Sequence, residues 1–134
     1  MTDAIASAAL EMVGTPFGHQ GREPGKRLDC LGLLVHALGD DARAYDRSDY
    51  VRRPDARRAI EVLEARATRL RCSIDDAPVG SVIVFCFGLR KIPRHFAIRT
   101  QTGMVHAEAG VGTVDEPISH RWRRRYWGAF AWRR

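Results

Sequence analysis

After Pro78-Val79-Gly80 the apolar pattern of this chain changes its period. Before that point hydrophobic residues recur every three or four positions. Beyond it they fall into short runs rich in valine, isoleucine and aromatics. A period near 3.6 buries one face of a helix and a period of two buries one face of a strand, so a single segment cannot satisfy both. The order is therefore helices first, then consecutive short strands over residues 81–87, 94–100, 104–108, 111–116 and 126–132. That order argues for an α+β fold with an antiparallel sheet of about five strands and against an alternating doubly wound one.

In the helical half, Ile5, Ala9, Met12 and Val13 mark a first helix, with Thr2 as N-cap and Gly14 as stop. Residues 14–28 hold Gly14, Pro16, Gly18, Gly21, Pro24 and Gly25 and read as a loop. Leu31, Leu34, Val35 and Leu38 then follow the i, i+3, i+4, i+7 template up to Gly39, with Asp29 as N-cap and Cys30 at the first helical position. Residues 40–53 have turn chemistry. A third helix follows Pro54, with Ile60, Leu63, Ala67 and Leu70 on one face.

With 134 residues, 45% of them hydrophobic and 28% charged, the chain has material for a single domain over residues 1–134 and is not disordered. No apolar stretch approaches the roughly 18 residues of a spanning helix, which excludes membrane insertion by that route. Met1-Thr2-Asp3-Ala4 shows no basic region followed by an apolar core, so cytoplasmic synthesis without a signal peptide is expected. The net charge of +6 favours an anionic partner. Six arginines lie in the last fourteen residues, however, which makes the excess local. Stacking and charge from Trp122, Trp127, Trp132 and these arginines would suit nucleic acid. A terminal strand with aromatics inside and guanidiniums in solvent is the favoured reading, so a nucleic-acid partner is not expected.

Cys30 is the sharpest chemical feature. A thiol at a helix N-terminus feels the positive end of the macrodipole, which lowers its pKa toward the nucleophilic thiolate. Cys72 and Cys86 lie in apolar surroundings and read as structural, so Cys30 is the thiol expected to react first. His36 lies six residues further along the same helix, about 240° around its axis, and cannot serve the thiol. His95 and His106 flank Thr100-Gln101-Thr102-Gly103. With a two-residue loop at Gln101-Thr102, His106 stands opposite Ala97 and one diagonal step, roughly 7 Å, from His95 on the same face. That sheet face, packed on the Cys30 helix, would supply a base and an orienting group for the nucleophile. Zinc is not expected: there is no His-Glu-x-x-His and no paired Cys motif.

The segments Gly14-Thr15-Pro16-Phe17-Gly18, Leu28-Asp29-Cys30-Leu31-Gly32-Leu33, His95-Phe96-Ala97-Ile98 and Met104-Val105-His106-Ala107 together resemble the NlpC family of papain-like cysteine peptidases. His19-Gln20-Gly21-Arg22, between the proline turn and the Asp-Cys pair, is most similar to the branch found as cell-wall peptidases in phage tails and gene transfer agents. The resemblance implies Cys30 as nucleophile, His95 as general base and His106 as the residue that orients it. It also implies a peptidoglycan endopeptidase acting on stem peptides through a thioester, with no cofactor, and other tail or tail-like particle proteins as partners. Phe17 stands where many members have a tyrosine that assists the oxyanion, and Leu31 where many have serine. The oxyanion role then falls to the Cys30 amide, with His19 and Gln20 as further donors in the loop beside Asp29. An inert structural tail-tip subunit of the same fold is the alternative.

Overall fold

In a computed structural model, which describes residues 3–50 and 56–133, the first helix α1 (Ala4–Glu11) is capped by Asp3. Its carboxylate accepts from the amides of Ile5 and Ala6 at 2.8 and 3.3 Å. Thr2, expected as that cap, lies outside the described residues, as does Pro54. The glycine-rich stretch after α1 contains a small antiparallel ribbon, β1 (Arg22–Glu23) and β2 (Arg27–Leu28), where only loop was expected. Gly25, at φ 84°, supplies the left-handed residue its turn needs.

Helix α2 (Cys30–Leu38) begins at the thiol and ends at Gly39. Asp29 caps it, accepting from the Gly32 amide at 2.8 Å. Leu33, Leu34 and Leu38 are buried, each contributing about 1.5–3 kcal/mol of burial free energy. A one-turn helix α3 (Asp40–Arg43) and α4 (Ala56–Arg66) complete the helical half.

The third helix is shorter than its periodicity predicts. Ala67 and Leu70 continue the helical spacing, but residues 67–70 form strand β3 (Ala67–Leu70), which pairs with the last strand, β8 (Tyr126–Trp132). A ladder to a strand more than fifty residues away outweighs a local preference worth tenths of a kcal/mol per residue. Between them run β4 (Val82–Phe87), β5 (Ile92–Arg99), β6 (Met104–Glu108) and β7 (Gly112–Glu116). The sheet thus has six antiparallel strands, not five, in the order β3-β8-β4-β5-β6-β7.

Alternation along the strands divides the interior in two. Val84, Phe96, Ile98, Val105 and Ala107 join the cluster containing α1, α2 and α4. Ile83, Phe85, Ala97, Met104 and Ala129 face the other way, against Ile74, Ile118 and Trp122. Trp122 lies in a short helix, α5 (His120–Arg123), not in the terminal strand.

Candidate active site

Asp29 is the centre of a network that fixes Cys30. It is 1% exposed, and a buried carboxylate needs donors on both oxygens. Oδ1 accepts from the Gly32 amide and from Arg22 at 3.0 Å, while Oδ2 accepts from the Gln20 amide at 3.1 Å and from the Tyr50 hydroxyl. Arg22 continues to Asp46 at 2.9 Å and to the carbonyls of Gly21 and Arg47. Burial works against the Arg22 charge, but hydrogen bonds to Asp46 and Tyr50 and the Asp29 charge outweigh it and hold its pKa above the usual range. Burial, then the Asp29 hydrogen bond, raises the Tyr50 hydroxyl.

The loop closes on α2 because Gly32 has no side chain. A Cβ there would lie 2.0 Å from the Gly21 carbonyl oxygen. Phe17 bridges Leu28 in parallel, and the Leu28 amide donates to the Pro16 carbonyl at 3.0 Å. The loop's start is tied to β7 by the Gly14 amide on the Thr113 carbonyl at 2.9 Å.

The histidines occupy the register that a two-residue loop requires: Ile98 pairs with Val105, Arg99 with Met104, and Thr100 donates to the Gly103 carbonyl at 2.9 Å. The ladder ends there, and the rings meet just beyond it, with His95 Nε2 and His106 Nδ1 2.8 Å apart. His106 is wholly buried. Its Nε2 lies 2.6 Å from Glu116 Oε1. His95 stacks on Trp122 at 5.1 Å between centroids, with the planes at 22°.

One expectation is corrected by this packing. His106 lies between the residues that face α2, and it shares with Met104 the face against Trp122, so the histidine pair is not packed on the Cys30 helix. Cys30 and His95 come together instead as wall residues of one cleft. There a cavity of about 400 Å³ is lined by Phe17, His19, Cys30, Arg94, His95 and Trp122, with Asp29, Glu108 and Arg125 also at its wall. Within it the Cys30 Sγ lies 4.0 Å from the Arg94 carbonyl.

The macrodipole does not decide the thiol's state. Burial pushes Cys30 up to about 12, and the Asp29 charge adds to that. Burial likewise drives His95 down to about 3, helped by His106 and by the charges of Arg121 and Arg125. At neutral pH the cleft therefore holds a thiol and an uncharged imidazole. The effect of a helix N-terminus is about 0.3–1 kcal/mol at exposed sites, too little to offset full desolvation of a thiolate.

Phe17 and His19 stand at the cleft, and His19 meets Tyr50 edge-on at 5.3 Å. Gln20 does not serve as a cleft donor: its side-chain amide donates to the Tyr50 carbonyl. Its backbone, at φ 62°, is held in the left-handed region while its amide meets Asp29. His36 contacts the Arg22 carbonyl and Arg43, away from the thiol. Cys86 is buried and Cys72 half-buried. Sequence reasoning missed Arg22, Tyr50, Glu116 and the stacking role of Trp122. Glu116 falls diagonally from His106 because the loop after Glu108 holds three residues, 109–111, where the strand bounds expected from the sequence leave two.

Among the described residues, His106, Glu108 and Glu116 place ligand-type atoms within 4.8 Å of one another. His106 and Glu116 already engage each other, and Glu108 pairs with Arg121 at 3.1 Å. Three further arginines of the C-terminal segment are also engaged. Arg123 meets Asp75 at 2.6 Å, Arg133 donates to the Ala65 carbonyl at 2.7 Å, and Arg125 lies 4.6 Å over the Phe87 ring.

No family model and no curated protein matches the chain. Among solved structures, it superposes with a TM-score of 0.62 on a protein from Staphylococcus aureus subsp. aureus Mu50 described as similar to lipoprotein, NLP/P60 family. The fold is the NLP/P60 fold. The two sequences are 22% identical, and the match covers 98% of this chain but 41% of the staphylococcal one. The NLP/P60 likeness thus extends over nearly all of this chain and under half of the other. Among the described residues no helix is long and apolar enough to cross a membrane.

Proposed function

We propose that residues 1–134 form one NlpC-type unit, a cysteine endopeptidase that cuts peptidoglycan stem peptides. The observation that carries this reading is the cleft shared by Cys30, at a helix N-terminus, and His95, whose Nε2 is held by His106. In the proposed reaction Sγ attacks the amide carbonyl carbon while its proton passes to His95 Nδ1. The forming oxyanion accepts from the Cys30 amide, a first-turn N–H with no intrahelical acceptor. Collapse breaks the C–N bond, His95 returns the proton to the departing amine, and a thioester remains. Water, deprotonated by His95, then releases the acid and restores the thiol. Because both groups are neutral at rest, proton transfer accompanies attack instead of preceding it. Arg94 and Arg125 at the cleft wall suit the carboxylates of a stem peptide.

The setting we propose is a phage tail or gene-transfer-agent particle acting on the cell wall, in contact with other tail proteins, on the resemblance of the loop between Pro16 and Asp29. A second reading, a structural tail-tip subunit with weak or no turnover, is favoured by the raised Cys30 thiol and by Phe17 in place of a hydroxyl donor. Engagement of Arg121, Arg123 and Arg133 within the fold speaks against a nucleic-acid-binding module. Mass spectrometry of purified peptidoglycan digested by the wild type and by Cys30→Ala tests the proposal: new stem-peptide termini with the wild type alone support it.

A further inference from the structure

We propose that Glu116 is a positioning residue that sets the tautomers of both histidines, so that the basic lone pair of His95 lies on Nδ1. The inference rests on reading His95 as the base. Glu116 reaches His106 diagonally across the β6–β7 ladder, since it pairs with Met104 while His106 pairs with Val114. Its Oε1 lies 2.6 Å from His106 Nε2, and its side chain keeps 35% of its exposure. An unprotonated carboxylate only accepts. The proton on His106 must therefore sit on Nε2.

In the tautomer with that proton on Nε2, His106 presents its lone pair at Nδ1, 2.8 Å from His95 Nε2, so the second proton sits on His95 Nε2. Burial keeps His95 itself uncharged. Its one remaining nitrogen, Nδ1, is left unprotonated and able to take a proton from Sγ. Without Glu116 the chain of bonds has no fixed direction. A proton on His106 Nδ1 would reverse both rings and put hydrogen on His95 Nδ1, where a base cannot carry it. Trp122, stacked on His95, and the buried surroundings of His106 hold the ring planes but say nothing about which nitrogen bears hydrogen. Among the described residues, Glu116 supplies that information.

The test is a long-range ¹H–¹⁵N spectrum of the imidazoles in the wild type and in Glu116→Gln, with kcat and KM on a stem peptide. Glutamine offers both an acceptor and a donor, so it keeps the packing and removes the direction. The wild type should show His95 and His106 protonated on Nε2, and Glu116→Gln should show mixed tautomers. Inverting a catalytic imidazole through its direct partner costs about 10,000-fold. Glu116 acts one ring further away, and kcat should fall about 10- to 100-fold with KM little changed. Protonation of His95 on Nδ1 in the wild type, or tautomers unchanged by the substitution, would overturn the inference. The wild-type spectrum decides this even if the variant fails to fold. Correct tautomers with no Cys30-dependent cleavage would instead refute the proposed function and leave the role of Glu116 standing.

Discussion

Alkylation of Cys30 in the resting protein should rise about tenfold per pH unit from pH 6 to pH 10, with no plateau near neutrality. With the thiol pushed up to about 12, roughly 0.003% is thiolate at pH 7.5, against about 9% for an ordinary cysteine of pKa near 8.5. The ratio is about 3,000. A more basic thiolate is the better nucleophile, and a Brønsted slope of about 0.45 over a pKa difference of about 3.5 returns roughly 40-fold. Cys30 should therefore react about 100-fold more slowly than a free thiol at pH 7.5. Its 4% exposure slows alkylation further, but equally at every pH, so the slope is diagnostic where the absolute rate is not. Iodoacetamide incorporation into the Cys30 peptide, followed by mass spectrometry from pH 6 to pH 10, measures it. A fast rate that is flat across this range would reveal a preformed thiolate–imidazolium pair and refute the reasoning. The slow rate expected here reverses the expectation, drawn from a helix N-terminus with an imidazole partner, that Cys30 labels first.

Gly32→Ala gains about 1 kcal/mol of helix propensity, but its Cβ meets a backbone oxygen at 2.0 Å. Overpacking of this kind costs about 1–3 kcal/mol, so a lower urea midpoint is expected, and with it a displaced loop and lost turnover. His95 in the folded state is lowered to about 3 from an ordinary 6.5, so the unfolded chain binds the extra proton between those values. The associated stability is present above pH 6.5 and is lost as pH falls, by up to about 1.4 kcal/mol per pH unit. Urea midpoints from pH 6.5 to pH 4.5 should show this fall in the wild type and a shallower one in His95→Phe; equal slopes would contradict it.

What was legible in the sequence was local or could be counted. The Asp29 cap, the start of α2 and the meeting of His95 with His106 follow from spacing within one helix and one hairpin. What was not legible depends on segments far apart along the chain. Residues 67–70 look helical until β8 claims them. Tyr50 and Arg22 meet Asp29 only because Gly32 lets the loop close on the helix. Trp122 reads as part of a basic aromatic tail until α5 lays it under His95. The protonation of Cys30 was misjudged for the same reason: the helix dipole is visible in a sequence, whereas desolvation by a folded cleft is not.

The most direct measurement of the central claim is the mass of the enzyme itself, acid-quenched during digestion of purified peptidoglycan. The account predicts stem-peptide fragments in solution together with a hydroxylamine-labile adduct on the Cys30 peptide, both absent from a folded Cys30→Ala protein. Fragments released equally by Cys30→Ala would contradict it.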